Sequence, residues 1–105
     1  MPERRSNQRK KVLLEARWQS MSLRHEARVD DVSLGGCFVN TYGHVELNEP
    51  VELQILLPSG GWLSLKGTVA SYQPGVGFGM SFTPLRGDDK KAVRDLIAAA
   101  AERPV

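Results

Sequence analysis

The chain has 105 residues, 14 of them Lys or Arg and 12 Asp or Glu, for a formal net charge of +2. That is enough chain for one domain with a real core and too little for two, and a content of 41% hydrophobic and 25% charged residues is that of an ordinary soluble protein. The single cysteine, Cys37, excludes an internal disulfide and a cysteine metal centre, and reads as a small core residue.

The charge is unevenly spread. Arg4, Arg5, Arg9, Lys10 and Lys11 crowd the first eleven residues against one acid, Glu3. Such a head is either a solvated tail or the contact for an anionic partner such as nucleic acid, a nucleotide or phosphate. No apolar run approaches the roughly 20 residues of a membrane helix, and "MPERRSNQRKK" has no apolar signal region behind its charges. The cytoplasm is the expected address.

Beyond the head, Val12, Leu14, Ala16 and Trp18 alternate with Leu13, Glu15, Arg17 and Gln19, the period-two pattern of a half-buried strand. Met21, Leu23, His25, Ala27 and Val29 alternate in the same way with Ser22, Arg24, Glu26, Arg28 and Asp30, which predicts five inward side chains. That run ends at Asp30-Asp31, whose neighbours should point to opposite faces. Cys37 to Val39 predicts a short third strand. Val51, Leu53, Ile55 and Leu57 mark a fourth, between Pro50 and Pro58. After the turn-forming "PSGG", a fifth strand is expected from about Trp62 to Tyr72. "QPG" turns the chain into "VGFGMSF", with Val76, Phe78, Met80 and Phe82 on the side opposite the glycines. From Asp88 the period changes: Val93, Leu96, Ile97 and Ala100 recur as one face of an amphipathic helix, with Asp88 or Asp89 at its start and Pro104 beyond its end. Five or six strands followed by one helix predict an all-β barrel or sandwich, antiparallel, with the helix plugging or flanking it.

Catalytic constellations are absent from this pattern. His25 lies on the apolar face of a strand and His44 in a glycine-containing stretch, and the two do not have ligand spacing. No Ser or Cys has an activating context, and neither Asp30-Asp31 nor Asp88-Asp89 resembles an acid/base dyad. The chain is not expected to be an enzyme and needs no cofactor.

Two motifs remain. In Arg5-x-x-x-Arg9, two guanidinium forks are spaced to reach one molecule; each can bind phosphate oxygens or the O6 and N7 acceptors of guanine, or stack on a purine. In Asp31-x-Ser33-x-x-Gly36, the carboxylate can accept from the N1–H and N2 amino donors of guanine. Ser33 adds a hydroxyl, and Gly35 and Gly36 allow close approach of a base to the backbone. Together they suit a compact ligand with guanines and phosphates. Separately, R-x-x-x-R arises in any basic stretch, and D-x-S-x-x-G can be a turn that ties down its own backbone.

Both motifs in this order, with Asp31 about twenty residues beyond Arg9, resemble the PilZ domain family of bacterial receptors for cyclic di-GMP. The resemblance extends over nearly the whole chain. Gly77, Gly79 and Phe82 of "GVGFGMSF" are similar to the G-x-G-x-x-F strand usual in that family. It implies a six-stranded antiparallel β-barrel with a C-terminal helix at about residues 88–102. Residues 1–11 would be a flexible basic segment carrying the arginines, and 12–105 the barrel with its helix.

The resemblance further implies that Arg5 and Arg9 clamp guanine edges and phosphates while Asp31, Ser33 and Gly36 line the other side, with Gly35 contributing backbone. Arg4, at a variable position of the family, is compatible with an intercalated ligand pair. The implied protein is a stand-alone adaptor, monomer or weak dimer, that orders its arginine segment on binding and signals to an unidentified protein partner. Two other readings are a PilZ-like module that only binds protein, whose signature would be loss of the arginines, and a barrel for single-stranded nucleic acid. The second needs exposed aromatics among basic residues; only Trp62 and Tyr72 are candidates, so no nucleic acid is expected.

Overall fold

The computed structural model describes residues 10–21 and 23–102. Six strands run in chain order: β1 (Lys10–Ser20), β2 (Leu23–Val32), β3 (Gly36–Asn40), β4 (Pro50–Leu56), β5 (Trp62–Gln73) and β6 (Gly77–Phe82). Helix α1 (Gly87–Glu102) follows. All pairings are antiparallel, and the strands close into a barrel in the order β1-β2-β3-β6-β5-β4. The six-stranded barrel with one C-terminal helix is therefore the architecture expected from the sequence.

Alternation builds the core. Ala16 and Trp18 from β1, Leu53 and Ile55 from β4, Leu65 and Val69 from β5, and Phe78 and Met80 from β6 are all buried in one cluster. The helix packs against β1 and β5, and its Val93 and Leu96 join the same cluster. Asp88 and Asp89 lie in its first turn, where carboxylates complement the positive end of the helix dipole.

Trp18 shows how a polar atom is accommodated inside. Its Nε1–H donates to the Thr41 hydroxyl at 3.0 Å, and that hydroxyl donates in turn to the Glu26 carbonyl at 3.2 Å. The chain leaving β3 is thus tied across the end of the barrel. His25, half-buried, stacks on the Trp18 ring, as suits a histidine on the inner side of a strand. His44 is exposed and pairs with Glu46 at 2.8 Å.

Three expectations need correction. Met21 and Leu23 do not face inward: they are 90% and 65% exposed, because the β1–β2 hairpin carries them past the wall they would have to cover. Val76 lies in the turn before β6 and is also exposed. Asp30 and Asp31 do not point to opposite faces of a regular strand. The β2–β3 register slips between Val29 and Asp31, so Val29 pairs with Val39 and Asp31 with Phe38, leaving Asp30 as an extra residue. Such a bulge shifts the alternation by one. Val29 and Val32 are both fully buried, and the two half-buried aspartates lie between them. β2 accordingly runs on to Val32 rather than stopping at the acids.

Candidate functional site

The Asp31–Gly36 segment is a hairpin loop fastened at both ends. Val32 pairs with Cys37, and the Ser33 N–H donates to the Gly36 carbonyl at 2.8 Å. The Ser33 side chain, 3% exposed, bonds to the loop's own backbone: its hydroxyl accepts from the Gly35 N–H at 3.2 Å and donates to the Gly36 carbonyl at 3.3 Å. The Gly35 carbonyl accepts from the Phe82 N–H at 2.9 Å, which anchors the loop to the end of β6. The local turn that the motif permits is therefore realised, by Ser33.

Gly36 is required by the barrel itself. It pairs with Ser81 on β6, and a Cβ built on it would lie 2.1 Å from the Met80 carbonyl oxygen. No side chain can occupy that gap, so the glycine sets how closely β3 approaches β6. Gly35 is exposed, and Asp31 is half-buried on β2. The bulge at Asp30 turns the Asp31 position out of the inward alternation that Val32 takes up, and bulges of this kind are common where a side chain is re-aimed next to a site.

On its other side β2 meets the start of β1. Lys10 pairs with Val32 and Lys11 with Asp31. The chain ahead of Lys10 is thereby attached to the barrel beside the Asp31–Gly36 loop, with Arg9 one peptide bond away. Arg4, Arg5 and Arg9 themselves lie outside the described residues. Periodicity could not have revealed this neighbourhood, because the first paired residue of β1 is a lysine and carries no apolar signal.

Among the described residues no group of His, Cys, Asp or Glu could hold a metal ion. No described helix is long and apolar enough to cross a membrane. Of the two candidate stacking platforms, Tyr72 is half-buried against the core, with its edge to His44, while Trp62 is 40% exposed and has the Arg17 guanidinium 3.9 Å from its ring centroid.

The sequence matches the family model described as PilZ domain over residues 3–99. The chain belongs to the PilZ domain family.

PilZ domains are receptor and adaptor domains, and the family's ligand is cyclic di-GMP. Solved structures agree on the fold. A PilZ domain of CeSA from a cellulose-synthesizing bacterium superposes with a TM-score of 0.71 at 18% identity, over 90% of this chain and 99% of that one. The PilZ domain of YcgR from Escherichia coli, solved with c-di-GMP, gives 0.77 at 11% identity, over 94% of this chain and 92% of that one. The Bacillus subtilis inhibitor of motility, MotI/DgrA, gives 0.78 at 17% identity; this chain is covered to 98% but spans only 54% of that one. No curated protein matches the chain. Within this PilZ domain, the late glycine-rich strand has a structural reason: a Cβ on Gly77 would lie 2.0 Å from the Val39 carbonyl oxygen, so β6 is held close to β3 at Gly77 as it is at Gly36.

Proposed function

We propose that this PilZ domain is a receptor for cyclic di-GMP whose N-terminal arginines close over the Asp31–Gly36 loop when the nucleotide binds. The observation that carries the reading is the register of β1 on β2, with Lys10 opposite Val32 and Lys11 opposite Asp31. It attaches the chain that follows the R-x-x-x-R motif next to the D-x-S-x-x-G loop, which supports a reading in which the two motifs, about twenty residues apart in sequence, meet on one ligand.

The roles follow from the chemistry. Arg5 and Arg9 donate bidentate pairs to phosphate oxygens and to guanine O6 and N7. The Asp31 carboxylate accepts from guanine N1–H and the N2 amino group. Ser33 fixes the loop, Gly35 offers exposed backbone, and Gly36 keeps the loop tight against β6. Arg4 stacks on a base of a second, intercalated nucleotide. Charge-assisted contacts of this kind contribute about 1.5–3 kcal/mol each. Three or four, less the ordering of the segment, give about −8 kcal/mol, a micromolar dissociation constant. The bound state presents an altered surface near the N-terminus to a partner protein in the cytoplasm.

The test is calorimetric titration of cyclic di-GMP, with GMP as the control and Arg9→Ala as the variant. Saturable binding that GMP does not reproduce and Arg9→Ala abolishes supports the receptor, and the molar ratio reports whether Arg4 serves a second ligand. No heat with near-millimolar cyclic di-GMP overturns it.

A further inference from the structure

The outer faces of β1 and β2 carry a two-by-two array of charge. Glu15 is opposite Arg28 and Arg17 is opposite Glu26, so the sign alternates both along and across the strands. Opposite charges in this position attract. Yet among the described residues the side chains of Glu15, Glu26 and Arg28 have no ion-pair or hydrogen-bonding partner. The Arg17 guanidinium is turned toward β4: its Nε–H donates to Gln54 Oε1 at 2.7 Å, and it lies 3.9 Å from the Trp62 ring centroid. Its terminal N–H groups form no ion pair among the described residues. A groove of about 860 Å³ runs over the array, with Tyr42 and Val76 at its β3 side and Trp62 at its β5 side. Tyr42 is 91% exposed.

We propose that this wall is a dimer interface and that its occupant is the same wall of a second copy of the chain. The charge decides the occupant. Glu15, Glu26 and Asp30 are set against Arg17 and Arg28, too even a balance to select a strongly acidic or basic partner. What fits an alternating array is another with the signs exchanged, and a twofold axis supplies that from the array itself.

With the axis parallel to the strands, above the line between β1 and β2, each β1 lies over the partner's β2. Glu15 then faces the partner's Arg28, and Arg17 faces the partner's Glu26. Symmetry repeats both, which makes four ion pairs around one axis. The same rotation carries the Tyr42 and Val76 side of one copy over the Trp62 side of the other, so apolar flanks meet apolar flanks. Tyrosine is among the residue types that anchor such contacts. The curved wall of a barrel offers a small contact, so the dimer belongs at the weak end of the size range, below about 1,200 Å² of total buried surface. It needs no nucleotide, and the proposal goes beyond the receptor reading without resting on it.

Analytical ultracentrifugation of the full chain, without nucleotide, tests this. The mass should rise reversibly from that of one chain toward that of two as the concentration goes from micromolar to near-millimolar. Glu15→Arg brings like charges together twice per dimer and should weaken association by about 5- to 30-fold. Adding Arg28→Glu to it should restore association to within about 3-fold, because each new charge then faces its opposite. Tyr42→Ser should weaken association by about 10-fold, at a position too exposed to unfold the barrel.

A single-chain mass at every concentration overturns the proposal. So does a dimer that Glu15→Arg or Tyr42→Ser leaves unchanged, since it would lie on another face. A charge exchange that restores nothing overturns it too. Should the doubly substituted chain not fold, the two single variants still decide. A dimer that behaves as described in a chain that ignores cyclic di-GMP would remove the receptor reading alone.

Discussion

The ring of His25 lies stacked on Trp18, with centroids 4.3 Å apart and planes 22° from parallel. Trp18 is held on a further side by Phe78, edge-on at 5.0 Å. Gly43 covers the pair: a Cβ there would stand 2.6 Å from Trp18 Cζ2 and 3.2 Å from His25 Nδ1. The indole is buried and bonded to Thr41, so it has nowhere to move. Gly43→Ala should therefore overpack the barrel end and destabilise by about 1–3 kcal/mol. Thermal melts should register a loss of about 4–8 °C per kcal/mol for a domain of this size. A melt within 1 °C of wild type would contradict the packing.

Two glycines make a matched pair for testing close approach. Gly36→Ala would drive a methyl group into the Met80 carbonyl, while at Gly61 nothing lies within 4 Å. The first substitution should prevent β3 from pairing with β6 and leave little folded protein. The second should be neutral or stabilise by up to about 1 kcal/mol, through reduced freedom of the unfolded chain. Denaturant titration separates them.

Glu49 ties the 46–49 turn to β1: its Oε2 accepts from the Ser20 hydroxyl and its Oε1 from the Glu46 N–H at 2.8 Å. The Ser20 bond, then the Glu46 bond, hold the carboxyl below its ordinary value of 4.5, with a smaller contribution from His44 and partial burial opposing. A carboxyl that ionises more easily when folded stabilises the fold above that ordinary value and loses its contribution as pH falls through the lower folded one. Glu49→Gln should be less stable at pH 7 by a few tenths of a kcal/mol to about 1 kcal/mol, since the carboxylate is largely open to solvent, and the gap should close as the pH drops below the carboxylate range. A gap that does not depend on pH would assign the effect to packing.

Ser33 is where loop shape and ligand contact can be distinguished. Ser33→Ala removes two bonds to the loop backbone and should cost about 1 kcal/mol of stability. By loosening the loop it should also weaken cyclic di-GMP binding by about 3- to 10-fold, the equivalent of roughly 1 kcal/mol. Lost affinity with an unchanged melt would mean that the hydroxyl acts on the nucleotide instead.

The sequence made much of this visible because inward side chains repeat with the period of a strand. The inner faces of β1 and β4 are legible residue by residue, from Ala16 and Trp18 to Leu53 and Ile55. The bulge at Asp30 is not legible, since an inserted residue leaves no mark in composition; only the burial of Val32 beside that of Val29 reveals it. Met21 and Leu23 continue an alternation beyond the point where there is a wall to cover, because periodicity reports a strand without reporting where the barrel ends. In the site, the loop was marked by Asp31, Ser33 and Gly36, but the reason for Gly36, a carbonyl on β6, lies 44 residues along the chain at Met80. The arginine half is legible as a motif alone, since Arg4, Arg5 and Arg9 lie outside the described residues.

The order of strands around the barrel has a kinetic consequence. β1-β2-β3 and β4-β5-β6 are each a meander whose pairings are local, and the two sheets meet at only two seams, β3 on β6 and β1 on β4. The β1–β4 seam is short, running from Ala16 opposite Ile55 to Gln19 opposite Glu52. Neither sheet can bury its inner face alone, so the hairpins gain little until both seams form, and each seam joins residues more than thirty positions apart. Such non-local closure is slow compared with hairpin formation. The rate at which this chain reaches its native state should be set by the meeting of two finished half-sheets, with the 41–49 crossing as the tether that keeps them near each other.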